Sequence, residues 1–159
     1  MSLAVQASAT SGVLRKTRRV ATPSADVKLT KVQKRLIRDT FQRLEPAADL
    51  VASLFYLRLF ELDPSLRALF KGRLKVQRRE LMGAMKIVII SLNHQEELTP
   101  VLRLLGARHR HYGVRAGDYA TFVMAWIWVL EQSLEARFTP AAREAWTALL
   151  ADTASTMAA

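Results

Sequence analysis

Three times after residue 27 a helix-capping side chain is followed directly by proline, at Asp63-Pro64, Thr99-Pro100 and Thr139-Pro140. An Asp or Thr side chain accepts hydrogen bonds from the free N–H groups at a helix start, and proline suits the first helical position because it has no N–H of its own. The three pairs therefore predict three helix starts. Only six glycines and five prolines occur in 159 residues, too few turn residues for a sandwich of short strands.

Apolar residues at spacings of three and four extend this prediction to six longer helices. They cover about 30–43, 46–62, 75–93, 99–112, 118–136 and 139 onward, with a short helical turn at 63–70 and a polar loop after it. Thr30 and Gln33 form a capping box at the first start. No segment alternates as a strand would, so we expect an all-α domain with short connections.

Length and composition exclude several classes of protein. A chain of 159 residues allows one domain with a hydrophobic core. It contains no cysteine, which excludes disulfides and thiolate metal sites and fits a reducing cytosol. The N-terminal segment lacks the charge order of a secretory signal, and no apolar run approaches the roughly 20 residues that span a bilayer. We therefore expect a cytoplasmic protein.

The formal net charge of +10 is concentrated near the N-terminus. Residues 1–38 hold nine basic side chains and one acidic one, whereas the remaining 121 residues hold fifteen and thirteen. We predict that residues 1–27 are a disordered basic extension and that the domain spans 28–159. The extension is expected to be a solvated tail, with contact to an anionic surface as the alternative and no nucleic acid as partner.

Histidine chemistry is limited to His94, His109 and His111. The last two lie about 200° apart around a helix, so they cannot both face one buried metal. His109 follows Leu105 by four residues and falls on the apolar face, while His111 falls on the polar face. On these grounds alone, His109 is more easily explained as a hydrogen-bonded core residue than as a ligand.

Four segments in this order change that balance: LFYLRLFELDPSLRALF, QRREL, LGARHRHYGV and, after FTP, AWT. They resemble the globin family over about residues 29–157, and most closely the bacterial single-domain globins and the haem domain of flavohaemoglobins. The resemblance implies a globin fold, a three-over-three helical sandwich around a pocket for haem b (iron protoporphyrin IX). It also implies that His109 is the proximal ligand of the iron.

The same resemblance assigns roles to further residues. Phe70 would pack on the haem face, and Tyr56 and Gln77 would offer hydrogen-bond donors to the bound ligand on the distal side. The rest of the implied pocket consists of Leu81, Met85, Tyr119, Phe122 and Trp126. Apart from the resemblance, Phe70 and Leu81 would be ordinary core and Gln77 a solvated side chain. Glutamine at the distal position implies an open or water-bound sixth site.

The implied function is reversible binding of O2, with NO and CO as further ligands, and O2-dependent conversion of NO to nitrate. Flavohaemoglobins continue into a reductase domain and this chain does not, so a separate, unidentified electron donor is expected. The later tyrosine and the glutamate of that family's proximal network have no match in the last helix, AWTALLADTASTM. One alternative is a haem-based gas or redox sensor that signals through the basic N-terminal arm. Another is a globin-fold interaction module without haem. The expected oligomeric state is a monomer or a homodimer.

Overall fold

The computed structural model describes residues 28–159, so the predictions for residues 1–27 lie outside the described part of the chain. This part contains six α-helices, three short 3-10 segments and no strand. The helices are α1 (Lys31–Leu44), α2 (Ala48–Leu62), α3 (Leu74–Ile90), α4 (Gln95–His111), α5 (Asp118–Leu134) and α6 (Pro140–Ala158). The 3-10 segments cover Glu45–Ala47, Pro64–Leu69 and Glu135–Arg137. None of these described helices is long and apolar enough to cross a membrane.

Three of the four predicted capping side chains, Thr30, Asp63 and Thr139, form capping bonds. The Thr30 hydroxyl accepts from the Gln33 backbone N–H at 3.1 Å, and the Gln33 side chain accepts from the Thr30 N–H at 3.0 Å. Asp63 caps the 3-10 segment after α2 by accepting from the Ser65 N–H at 3.0 Å. Thr139 caps α6 in the same manner. Local side-chain chemistry therefore determines where these elements begin.

The predicted start of the fourth helix at Thr99 is wrong. Helix α4 begins at Gln95, and Pro100 lies inside it. Thr99 does not act as a cap, because its hydroxyl donates to the Gln95 carbonyl at 2.9 Å. Burial of Leu98, one turn before the buried Leu102, extends the apolar face toward the N-terminus and outweighs the backbone bond that proline cannot make.

The third helix also ends earlier than predicted. Helix α3 stops at Ile90, and residues 91–93 form a turn instead of a last helical turn reaching Asn93. Leu92 in this turn is nearly fully buried and belongs to the hydrophobic core. An apolar residue at helical spacing therefore need not lie in the helix, because a turn can bury it equally well.

The helices form two layers. Helices α2, α5 and α6 pack against one another in sequence, with α5 in the middle. Helices α1, α3 and α4 cover this layer: α1 and α4 pack mainly on α6, and α3 packs mainly on α2. Within residues 28–159, α3 and α4 make little direct contact with each other. This arrangement matches the expected three-over-three sandwich, in which α3 and α4 lie in the same layer with little packing between them.

Two contacts fix the position of α6 against its neighbours. The indole N–H of Trp146 donates to the Thr40 hydroxyl at 2.8 Å, inside the interface between α6 and α1. Gly106 allows α4 to approach the end of α6 so closely that an added Cβ would lie 1.9 Å from the Met157 carbonyl oxygen. Helix α4 is thereby held at a separation that only glycine permits at this position.

Candidate functional site

The imidazole of His109 is oriented by its own helix. Nδ1 lies 2.7 Å from the carbonyl oxygen of Leu105, one turn earlier. A carbonyl oxygen can only accept a hydrogen bond, so Nδ1 carries the proton and Nε2 keeps its lone pair. No hydrogen-bond partner of Nε2 is found in the described residues. The half-buried His109 thus presents an Nε2 atom with a free lone pair, which a metal ligand requires.

The end of α4 is closed directly behind this histidine. The Val114 N–H donates to the His109 carbonyl at 2.9 Å, and the Gly113 N–H donates to the Arg110 carbonyl at 3.0 Å. This pair of bonds is a Schellman motif, and it requires the left-handed backbone that Gly113 adopts with φ of 100°. The Tyr-Gly pair after the histidines therefore ends the helix and holds the His109 backbone.

The neighbours of His109 point elsewhere. His111 is exposed, as its place on the polar face predicted. The guanidinium of Arg110 donates to the carbonyl oxygens of Met157 and Ala159, both at 3.2 Å. Arg110 therefore ties the last turn of α4 to the end of α6, and of the two adjacent histidines only His109 faces inward.

Tyr119, at the start of α5, lies beside His109. Their rings are stacked with centroids 6.4 Å apart and an interplanar angle of 26°. The Tyr119 hydroxyl is buried and has no hydrogen-bond partner within residues 28–159. Burial raises the pKa of this phenol, partly opposed by the positive charge of Arg110. Most buried polar groups in proteins have a hydrogen-bond partner, so this unpartnered hydroxyl beside His109 marks the region as a candidate site.

Tyr56 and Gln77 meet where α2 faces the first turn of α3. The Tyr56 hydroxyl donates to the Gln77 backbone carbonyl at 3.3 Å. Burial, reinforced by the negative charge of Glu80, raises the pKa of Tyr56 to about 12. The phenol therefore stays protonated and remains a donor at neutral pH. The amide nitrogen of Gln77 lies close to Gly72, where an added Cβ would be 3.7 Å away.

An aromatic cluster connects these polar groups. Phe70 packs edge-on against Tyr56 with ring centroids 5.3 Å apart. Phe55 contacts Tyr56 at 5.1 Å and Phe122 at 4.8 Å, and it is almost completely buried. Phe60 packs on Phe70 at 5.6 Å. The structure thus brings together Tyr56, Phe70 and Phe122, three of the residues that the resemblance selected.

The remaining candidate residues are buried in the hydrophobic core. Leu81 and Met85 are buried on the inner face of α3, one turn apart. Trp126 is fully buried between Phe55 and Trp146, with ring centroids 5.8 and 6.2 Å away. Its indole N–H has no partner in the part of the chain that the structure describes. Trp126 therefore contacts the aromatic cluster through Phe55, and its ring does not contact the rings of His109, Tyr56 or Phe70.

Two contributors were missed in the sequence. Phe55 joins the polar side of the cluster to α5, and only its adjacency to Tyr56 hinted at this. The Leu105 carbonyl fixes the tautomer of His109, and the spacing of four residues could have indicated it, because a side chain reaches the carbonyl one turn back. Sequence spacing marked Leu105 only as an apolar neighbour.

These contacts surround one region of the fold. From His109 they lead through Tyr119 to α5, then through Phe122 and Phe55 to Tyr56 and Phe70. The segment before α3 also lies against the end of α4, since an added Cβ on Gly113 would be 3.3 Å from Leu69. Leu69, Phe70, Leu105, Tyr119, Phe122 and Val123 are half-buried and pack against the hydrophobic core.

The region suits a large apolar group that carries its own metal. No cluster of three or more His, Asp or Glu side chains that could hold a bare metal ion is found among residues 28–159. His109 offers a single nitrogen, and Tyr56 offers a hydroxyl that is held at the first turn of α3. One protein ligand is enough when the other ligands arrive with the metal, as in a metalloporphyrin.

Comparison with known proteins agrees with this architecture. The family model described as Globin matches residues 53–157. Zebrafish (Danio rerio) neuroglobin is 26% identical over 144 residues, which cover 82% of this chain and 91% of neuroglobin.

A crystal structure of a hexacoordinated haem protein from an anhydrobiotic tardigrade, at pH 4, superposes with a TM-score of 0.74 at 13% identity. The match covers 82% of this chain and 93% of the tardigrade chain. Both relatives come from animals, so the narrower resemblance to bacterial globins stays a prediction. The domain has the all-α globin fold, and the chain belongs to the globin family.

Proposed function

We propose that this globin binds haem b with His109 as the proximal ligand. The observation that carries the proposal is the Nδ1 to Leu105 hydrogen bond, which leaves Nε2 free and aims the ring. Phe70, Tyr119 and Phe122 would hold the porphyrin at its faces and edges, with the buried Leu81, Met85 and Trp126 behind them. Haem would supply an iron atom that binds O2, CO or NO and changes its oxidation state.

The distal residues would select for O2. A bound O2 carries partial negative charge, which a donor O–H or N–H stabilises more than it stabilises neutral CO. The pKa of Tyr56 keeps its hydroxyl protonated. Its hydrogen bond to the Gln77 carbonyl is long, at 3.3 Å, so the hydroxyl can exchange this acceptor for a stronger one by rotation. Gln77 would add its amide N–H from the same side.

Histidine is missing from the distal side. The three histidines of the sequence are His94, exposed at the start of α4, exposed His111 and His109 itself. The tardigrade relative is described as hexacoordinated. By its resemblance Gln77 would take the distal place on α3, and we infer that the sixth position of the iron would be open or would hold water. A ferrous spectrum without the signature of two axial histidines tests this directly.

Conversion of NO to nitrate follows from the same arrangement. The overall change combines one NO, one O2 and one electron into one nitrate ion, so an external one-electron donor is needed for turnover. Tyr56 and Gln77 would hold O2 in position for NO, and the aromatic cluster of Phe55, Phe70 and Phe122 would exclude water from the reacting atoms. The protein's own residues thus bind, orient and shield.

The experiment compares Tyr56→Phe with Tyr112→Phe, a matched control because Tyr112 is 69% exposed. We expect Tyr56→Phe to raise the O2 dissociation rate about 10- to 100-fold, the equivalent of roughly 1.5–3 kcal/mol for a hydrogen bond to a charged group. Tyr112→Phe should leave it unchanged. NO added to the reduced, O2-saturated wild type should yield nitrate one for one, and absence of nitrate would refute the proposed activity.

A further inference from the structure

The charge of the domain is unevenly distributed. Residues 67–79 carry six basic side chains and no acidic one, whereas the rest of 39–159 carries nine basic and thirteen acidic ones. This part of the chain is close to neutral overall, yet one short stretch of it is strongly basic. The stretch covers the end of the 3-10 segment after α2, the connection to α3 and the first turns of α3.

Four of these side chains, Arg67, Lys71, Arg73 and Lys75, form what we name the corner patch. All four are exposed, and within residues 28–159 none of them forms an ion pair. Their neighbour Arg78 differs, because it pairs with Asp49 on α2 at 2.9 Å. The positive charge of the corner patch is therefore available to an external partner.

The corner patch borders the distal side of the candidate site. Phe70 lies between Arg67 and Lys71 in the chain, and Gly72, between Lys71 and Arg73, approaches the amide of Gln77. The Arg67 guanidinium lies 5.6 Å from the centre of the Phe60 ring, which itself packs on Phe70.

We propose that the corner patch is the docking surface for an acidic electron-transfer protein, which delivers the single electron that conversion of NO and O2 to nitrate requires. This inference rests on the proposed function. The donor loses one electron and no proton has to move with it. Opposite charge on the two surfaces steers diffusional encounter and brings the donor to the edge of the site. Nucleic acid is also negatively charged and would be attracted to the patch, but it cannot supply the electron.

A second basic surface provides the control. Lys31, Lys34, Arg35 and Arg38 on α1 line a groove together with the acidic Asp39 and with Asn93, which follows the end of α3. The corner patch precedes the start of α3. Since α3 has 17 residues, the two surfaces are separated by about 25 Å along this helix at 1.5 Å per residue. Removing equal charge from either surface changes the net charge identically but changes the local potential at different places.

The test uses haem-loaded protein and a flavodoxin as an acidic redox probe. Two triple variants are compared with the wild type: Lys71→Gln with Arg73→Gln and Lys75→Gln, and Lys31→Gln with Arg35→Gln and Arg38→Gln. Calorimetry measures flavodoxin binding, and stopped-flow absorbance measures the second-order rate constant for reduction of ferric protein. Both are measured at low and at high ionic strength, and haem retention is followed by transfer to apomyoglobin.

At low ionic strength we expect the corner variant to lower the reduction rate constant and the flavodoxin affinity about tenfold or more, and the α1 variant to stay within about twofold. High salt should remove the difference. Equal losses in both variants would mean that only net charge matters, and loss in the α1 variant alone would place the surface there. Either result overturns the proposal.

Three further outcomes would also overturn it. These are absence of flavodoxin binding to the wild type, faster haem loss as the sole effect of the corner variant, and displacement of flavodoxin from the corner patch by a short DNA duplex that binds more tightly. Failure of the proposed function is recognised separately. If nitrate is not formed while the corner variant still loses flavodoxin binding and reduction, the activity is wrong and the docking surface stands.

Discussion

The Nδ1 atom of His109 donates a hydrogen bond to the Leu105 carbonyl oxygen, 2.7 Å away and one turn earlier in α4. The bond depends on a regular helix between these two residues, and Gly106 lies inside that turn. At Gly106 the same turn of α4 also meets the end of α6. One helical turn therefore both orients the imidazole of His109 and packs against another helix.

Gly106→Ala should destabilise the domain by about 1–3 kcal/mol, because its Cβ would lie 1.9 Å from the Met157 carbonyl oxygen and would push α4 away from α6. Gly83→Ala is the matched control, since nothing lies within 4 Å of the added Cβ and alanine favours a helix interior by up to about 1 kcal/mol. Urea denaturation of both variants measures the free energies of unfolding. Opposite signs are expected, and equal stability of the two variants would contradict the close contact.

Thr40→Val should lower the free energy of unfolding by about 1–3 kcal/mol. The substitution keeps the shape of the side chain but leaves the buried indole N–H of Trp146 without an acceptor. Thr147→Val on the exposed side of α6 serves as control and should change stability by at most about 0.5 kcal/mol. If both variants unfold at the same urea concentration as the wild type, the hydrogen bond between α1 and α6 contributes nothing.

Stability should fall at alkaline pH through Tyr56. Its pKa is raised from 10.0 to about 12 in the folded protein, so between these values the folded state keeps a proton that the unfolded state releases. The resulting stabilisation is complete below about pH 10 and is lost as pH rises toward 12, by roughly 2–3 kcal/mol in total. Tyr56→Phe should show a shallower decline in this window. Parallel curves for the variant and the wild type would show that Tyr56 does not contribute.

Much of the fold could be predicted from the sequence because its helix starts are local. Thr30, Asp63 and Thr139 each cap the element that follows, and the chemistry of each cap is complete within four residues. Thr99-Pro100 carries the same signal and fails, since burial of Leu98 against the core starts α4 earlier. That burial depends on residues distant in the chain, and sequence spacing does not contain it.

The geometry of the candidate site could likewise be predicted only in part. The inward direction of His109 and the exposure of His111 follow from helical spacing, and the structure agrees with both. The stacking of Tyr119 on His109 and the hydrogen bond from Tyr56 to the Gln77 carbonyl do not follow from it. Each joins two elements whose separation and rotation are determined by packing, whereas the bond from Nδ1 to Leu105 lies within one helix. Sequence resemblance could therefore name the residues but not their mutual geometry.

The central claim is that His109, and not its neighbour, holds haem. The most direct measurement is absorption spectroscopy of haemin titrated into wild type, His109→Ala and His111→Ala, followed by reduction and addition of CO. We predict one-to-one binding and a five-coordinate ferrous spectrum for the wild type and His111→Ala, and loss or gross change of both in His109→Ala. Identical spectra for the two variants, or no haem uptake by the wild type, would contradict this account.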